Sequence, residues 1–511
     1  MKRSILSLAV LLLVPLLFAA CAGENEPSPA VPAADPGPAA AQTEPAAPPE
    51  TEPAETEPAA ESSDTLRHSD AALYEDNLAK AIEYAKTIHD LYWDSGTCLS
   101  KLTPDGGTPH LWPYTEESSM VNGILLAMDK EHPDRAFFEQ YLRETMDGLR
   151  YYRIKKVGLK EVNGEYWNDP DYKMAKYGES DGTPHSYAIY AASRSDRKMD
   201  SAICMSDGVY FDDNVWVAKS FYYAYINTGD MVYLNEATNI MNWILGEGYE
   251  TRGALNGIYW KWSSKFRFPA NSTSDTDHAS LNTCSTASSA LVLTKLAAAI
   301  EGTPLEGLRD RYLSAAADIF EFCRDALVDK STKCLYDKVI LKKGFENETD
   351  LKKQVQKTDT AQYAYNTGTY LTAGADLYAM LRTSDPERAD AILEAALASA
   401  KGADKKFADR NAKKGQYSYP SHSWFTSFLA AGFSDLAAYD EGCAEYVEHM
   451  RSALDYAWQF YKAKDGLVSP AWIKGWGEFS GKTGTNEDNP RQILFQSANA
   501  HCYAMLARYY R

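Results

Sequence analysis

The sequence predicts an all-α protein, a closed (α/α)6 toroid, and two observations carry that prediction. From about Asp70 onward, twelve helical patterns of two kinds alternate strictly, with no second linker among them. One kind is rich in small and apolar residues and has little polar face. The other surrounds a single apolar stripe, such as Leu234, Ala237, Ile240, Met241 and Leu245, with charge. Helices that are apolar all round must be covered, and one-sided helices can cover them, so the pairs close as an inner ring inside an outer one. An open helical solenoid is the alternative. Uneven spacing between equivalent helices, and long aromatic loops ahead of the inner ones, favour the toroid.

Residues 1–21 have the make-up of an export signal. Lys2 and Arg3 supply the charged start, Ile5 to Phe18 are almost wholly apolar, and Phe18-Ala19-Ala20-Cys21 resembles a bacterial lipoprotein cleavage motif. The apolar run is short for a spanning helix. Cys21 is therefore the expected lipidated N-terminus, which places the mature chain outside the cytoplasm, anchored to a bacterial membrane at the cell surface or in the periplasm. An ordinary signal peptide with an incidental Cys21 is the alternative. Residues 22–64 are Pro, Ala, Glu and Thr without an apolar face, and read as a disordered linker or stalk. This stretch holds ten acidic residues and no basic one, so over half of the formal net charge of −19 lies there. An acidic balance argues against nucleic acid and anionic lipid as partners.

Residues 65–511 form the expected toroid domain. Its inner helices are Glu116–Met128, Asp212–Ile226, Thr283–Ile300, Tyr365–Met380, Ser423–Ala438 and Gln492–Tyr509. Its outer helices are Ala71–Trp93, Pro133–Tyr152, Met231–Leu245, Leu305–Leu327, Pro386–Lys401 and Glu441–Tyr461. The segment from Val157 to Met205 is long, polar and Tyr-rich, and fits neither pattern.

The richest stretch is Tyr210-Phe211-Asp212-Asp213-Asn214-Val215-Trp216. A turn signal, Ser206-Asp207-Gly208, precedes it, and helical periodicity follows it, so two adjacent carboxylates stand at a helix mouth among aromatics. One carboxylate can attack a sugar carbon while the other supplies a proton. Asp is also a common helix cap, and capping alone is the alternative. Aromatics enter every inner helix: Trp112 and Tyr114, Tyr210 and Phe211, Tyr259 and Trp260, Tyr363 and Tyr365, Tyr417 to Trp424, then Trp472 and Trp476. Such a rim suits carbohydrate, whose C–H faces stack on rings while its hydroxyls need polar partners. Core packing is the alternative for each ring taken singly.

Other chemistries lack a signature. Besides Cys21 the cysteines are Cys98, Cys204, Cys284, Cys323, Cys334, Cys443 and Cys502, an odd set without metal-ligand spacing that reads as buried free thiols. His278 and His422 have no second ligand at zinc spacing. The turn at 272–277 lacks the spacing of a calcium loop. No cofactor and no metal is called for.

In its motifs the chain resembles glycoside hydrolase family 76, the endo-α-1,6-mannanases. The resemblance rests on residues 210–216, Asn227-Thr228-Gly229-Asp230 with Tyr233-Leu234, Gly257-Ile258-Tyr259-Trp260, Cys284-Ser285-Thr286-Ala287 and Tyr365-Asn366-Thr367-Gly368-Thr369, in the family's order. Asn256 and Tyr259 replace one member each of the paired Gly and paired Trp common in the family, and Thr367 stands where Gln is frequent. These departures bear on subsite preference. The resemblance implies cleavage of α-1,6-mannosidic bonds with retention, Asp212 as nucleophile and Asp213 as acid/base. Tyr259, Trp260, Tyr365 and Asn366 are the expected substrate contacts, with Trp112 and Trp424 as walls. The expected protein is a monomer acting on α-mannan. Another (α/α)6 sugar-active enzyme, such as an unsaturated-uronide hydrolase or an epimerase, and a non-catalytic glycan-binding lipoprotein are the alternatives.

Overall fold

The structure is a computed structural model that describes residues 66, 68–156, 160–162, 165–167, 188–195, 199–200, 202–203, 208–262, 280–409, 417, 419, 422–479 and 489–511. The expectations for Cys21, the linker, Cys204, His278, the 272–277 turn and most of 157–205 fall outside these residues. Among the described residues, no helix is long and apolar enough to cross a membrane.

Twelve long helices alternate between two layers. The outer layer is α1 (Ala71–Tyr92), α3 (Arg135–Leu149), α5 (Met231–Trp243), α7 (Arg309–Phe322), α10 (Pro386–Phe407) and α12 (Glu441–Tyr461). The inner ring is α2 (Leu111–Ala127), α4 (Phe211–Thr228), α6 (Thr283–Ala299), α9 (Ala364–Leu381), α11 (Ser423–Leu436) and α13 (Ile493–Tyr510), while α8 (Leu351–Gln354) is a single turn. Each inner helix packs on the next, and α13 packs on α2 as well as on α11, so the ring is closed. The closure extends to the start of the domain, where Leu66 and Asp70 donate backbone hydrogen bonds of 2.8 Å to Ala438 and Tyr510. An open solenoid is thereby excluded.

Burial separates the layers as the patterns predict. Fifteen of 17 residues of α2 and 14 of 17 of α6 are buried. On α10 and α12 only 8 of 22 and 7 of 21 are. Hydroxyls inside the inner helices bond back one turn: Ser289 to Ser285 O at 2.7 Å and Thr294 to Ala290 O at 2.9 Å. Back-bonding lets polar side chains occupy a buried helix without an unmet donor.

The helix starts differ by layer. Asp70, Asp230, Asp385 and Asp440 cap α1, α5, α10 and α12 through their side chains. Five of the six inner helices start without a side-chain cap, from His110, Tyr210, Asn282, Tyr363 and Gln492. In the motif Asn227-Thr228-Gly229-Asp230, Gly229 ends α4 in the left-handed region at φ 71° and Asp230 caps α5 at once. One expected boundary moves. Leu111 to Tyr114 do not precede the first inner helix but form its first turn. Pro113 fits there because first-turn amides have no intrahelical acceptor.

Two glycines allow α9 and α11 to touch. A Cβ on Gly368 would stand 2.3 Å from the Phe428 carbonyl carbon, and one on Gly432 would stand 2.6 Å from Leu371 Cβ. Backbone cannot retreat as a side chain can, so Gly368→Ala is expected to destabilise the domain by about 1–3 kcal/mol or more. Gly307→Ala, at a site with nothing within 4 Å of the added atom, is the control. Chemical denaturation followed by circular dichroism measures both, and equal midpoints would remove the close-approach account.

Candidate active site

The start of α4 is tied down on three sides. Phe211 is fully buried and stacks on Trp243, with centroids 4.7 Å apart at 29°. Burying a ring of this size stabilises by roughly 2–3 kcal/mol. The Phe211 amide donates to Trp260 O at 2.9 Å, which laces the 257–262 loop to the helix mouth. Asn214 is also fully buried: its Oδ1 accepts from Tyr190 N at 2.8 Å, and its Nδ2 donates to Tyr190 O at 2.9 Å and Tyr210 O at 2.8 Å. Phe211 and Asn214 are thus the anchors of the motif. The Asp pair between them does not hold the capping position, because Tyr210 is the N-cap and Asp212 and Asp213 lie in the first turn.

The two carboxyls meet different surroundings. Burial pushes Asp212 up to about 6, against a counter-pull from the Cys284 thiol, the backbone amides of Asp213 and Asp212, and the Trp260 side chain. Asp213 is raised well above the carboxylate range by burial and then by the charge of Asp212. Neighbouring acids with unequal donor sets separate into one that ionises first and one that keeps its proton. Asp212 Oδ1 has no hydrogen-bond partner among the described residues.

A register common to all six inner helices builds the rest. The second residue of each is Trp112, Asp212, Cys284, Tyr365, Trp424 and Leu494. Trp112, Tyr365, Trp424 and Leu494 meet in one apolar cluster with Trp216, Phe425, Phe428, Phe495 and Ala498, apart from the main core. Trp112 lies edge-on to Trp424 at 4.9 Å, and Tyr365 stands 5.1 Å from Trp424 and 4.7 Å from Phe425. Tyr365 also joins this floor to the acids, because Cys284, Asp212 and Asp337 all act on its hydroxyl. Beneath the floor, the buried Lys219 places its ammonium 5.4 Å from the Trp216 ring and 4.9 Å from Phe428.

The structure therefore brings together Asp212, Asp213, Trp260, Tyr365, Trp112 and Trp424. Trp260 is half-buried with its ring 5.1 Å from Tyr210. Tyr259 faces the other way: it is buried in the main core and its hydroxyl donates to Glu250 at 2.7 Å. The pairing of the loop decides this, since Tyr259 bridges to Leu281 while Trp260 stands at a bend whose carbonyl accepts from Phe211. Asn366 is fully buried, and neither amide atom has a partner among the described residues. Trp472 and Trp476 brace the frame, donating to Asn499 Oδ1 at 2.7 Å and to Tyr461 O at 2.8 Å.

Two residues of this site receive no role from the sequence. Cys284, expected to be an inert thiol, lies against Asp212 and Tyr365; comparing the second residues of the inner helices would have singled it out. Asp337 arrives through the loop before strand Lys338–Leu341, held by Thr283 N to Asp337 O at 2.8 Å and Asp337 N to Asp359 O at 3.1 Å. No periodicity marks it. The six described cysteines are free, and Cys98 is exposed rather than buried.

A closed double ring of helices bearing two half-buried, unequal carboxyls beside an aromatic floor has the make-up of a glycoside hydrolase. Residues 186–501 match the model of glycosyl hydrolase family 76, and the chain belongs to that family. No curated protein sequence matches it. Among solved structures, a family 76 glycoside hydrolase from a bovine Bacteroides thetaiotaomicron strain is similar at TM-score 0.62 and 20% identity, over 86% of this chain and 79% of that one. A family 76 glycoside hydrolase from B. thetaiotaomicron, described as a mannosidase, aligns at TM-score 0.61 and 20% identity, over 84% of this chain and 98% of that one. An α-1,6-mannanase of Salegentibacter sp., an inactive variant with two consecutive aspartates replaced by asparagine and α-1,6-mannotriose bound, aligns at TM-score 0.57 and 15% identity, over 85% and 100%.

Burying the acids also has a cost in stability. A carboxyl whose value is raised by folding binds more protons in the native state than in the unfolded chain, so stability falls as pH rises from the ordinary carboxylate range through the raised value. Asp213→Asn removes that liability. Its melting temperature is expected to exceed wild type at pH 7.5, with the gain shrinking toward pH 4. Thermal melts across pH check this, and a pH-independent difference would show that folding does not raise Asp213.

Proposed function

We propose that this enzyme is a retaining, endo-acting hydrolase of α-1,6-mannosidic bonds in a mannan-type polysaccharide, exported and lipid-anchored through Cys21. The observation that carries the reaction is the unequal footing of two consecutive carboxyls at the start of α4. Asp212, held by more donors, is the ionised nucleophile. It attacks the anomeric carbon while Asp213 protonates the departing glycosidic oxygen. Asp213 then takes a proton from a water that attacks the anomeric carbon, which breaks the ester bond to Asp212 and frees the sugar. Trp260 and Tyr365 flank the reacting sugar, with Trp112 and Trp424 behind. Family membership and the α-1,6-mannotriose bound to the Salegentibacter variant support this choice of linkage. That relative is inactive with two consecutive aspartates replaced, which agrees with a catalytic Asp212–Asp213 pair.

Purified enzyme is expected to release reducing ends from unbranched α-1,6-mannan, with the α-anomer forming first by proton NMR. Asp212→Asn and Asp213→Asn are each expected to lower turnover on the order of 10³-fold while keeping the wild-type circular dichroism. The rate should fall below about pH 6 as Asp212 takes up a proton, and again at higher pH as Asp213 loses its own. Initial release of the β-anomer, or near-normal turnover in either variant, would overturn the mechanism.

A further inference from the structure

The N-cap residues of the inner helices form a tier just outside the second-residue ring: His110, Tyr210, Asn282, Tyr363, His422 and Gln492. Tyr363 differs from Tyr365 and Trp424 on the neighbouring turns. It is 39% exposed, and it packs in neither the main core nor the aromatic floor. Its ring is nonetheless fixed, with centroids 6.1 Å from Tyr365 and 5.8 Å from Phe425. Phe425 is braced in turn by Tyr365 at 4.7 Å and by His422 at 4.1 Å. A continuous row of rings therefore runs from Trp112 and Trp424 through Tyr365, beside Asp212, out to Tyr363. Its outer end is a tyrosine whose burial does not account for its place. A large exposed ring held by ring neighbours is a preorganised platform for the C–H face of a pyranose.

We infer that Tyr363 is the stacking platform of an outer sugar subsite, which binds a hexopyranose unit of the substrate chain beyond the units flanking the cleaved bond. The inference deepens the mannan reading and rests on it. An outer platform gains nothing for a substrate too short to reach it, and it strengthens binding of every longer chain. It thereby favours attack within a polymer over attack on small fragments.

The test uses the whole domain and α-1,6-linked mannooligosaccharides from the disaccharide to the hexasaccharide, with kcat/KM measured at each length. Tyr363→Ala is expected to lower kcat/KM on the longest chains on the order of tenfold, mainly through KM, and to leave the shortest cleaved substrate unchanged. Tyr363→Phe, which keeps the ring, should retain wild-type length dependence. The wild-type melting temperature is expected in both, since the side chain fills neither core. An equal loss at every length, or no loss on the longest chains, would overturn the subsite while mannan cleavage stands. A wild type that cleaves none of these substrates would overturn the mannan reading, and the subsite with it.

Discussion

Holding two adjacent, half-buried carboxyl groups side by side is the constraint that the rest of this structure answers to. Asp212 and Asp213 repel when both are ionised, and burial makes ionisation of either costly. Left alone, a helix mouth so loaded would turn its acids to solvent. It is prevented from doing so by Phe211 buried on Trp243, by Asn214 spliced to the backbone around Tyr190, and by the 257–262 loop bonded to the Phe211 amide. The unequal supply of donors then converts a repulsive pair into two different groups.

Repetition is what delivers the surroundings. Each inner helix starts at the same end of the ring, so Cys284 and Tyr365 reach Asp212, and Trp112, Trp424 and Leu494 join the floor that Tyr365 shares, without any local adaptation of α4. The arrangement leaves the first-turn amides of most inner helices uncapped by side chains. Their partial positive charge favours the ionised state of Asp212. The ring's interior is braced by polar contacts as well as by packing. His501 meets Glu116 at 2.8 Å between α13 and α2, and Lys295 meets Asp376 at 2.8 Å between α6 and α9. These largely covered pairs tie neighbouring helices together, because removing one partner strands the other.

Departures from the expected site are concentrated in the loops. Trp260 and Tyr259 are adjacent and equally aromatic, yet the first lies beside the acids and the second is core, with its hydroxyl committed to Glu250. Which of two neighbours faces inward depends on the pairing of the loop with Val209 to Phe211 and with Leu281, and such pairing is long-range. Asn366, expected to bond to hydroxyls, is fully buried at the start of α9. The roles of Cys284 and Asp337 were hidden for the complementary reason: Cys284 stands in a motif without a marked chemistry and Asp337 in none, and the meeting of Cys284 with Asp212 and of Asp337 with Cys284 and Tyr365 exists only once the helices and the 338–341 strand are assembled.

The sequence by itself determined the class of fold, the order and number of the helices, and the identity of the paired acids. Helical burial repeats every few residues and leaves a local record, and two carboxyls on consecutive residues remain neighbours in any fold. Only the tertiary structure decided that the ring closes, that Tyr210 rather than an Asp caps α4, that Tyr259 turns away, and which side chains desolvate Asp212 and Asp213. Those outcomes depend on contacts between residues far apart in the chain, and a protonation state is set by what surrounds a group rather than by what precedes it.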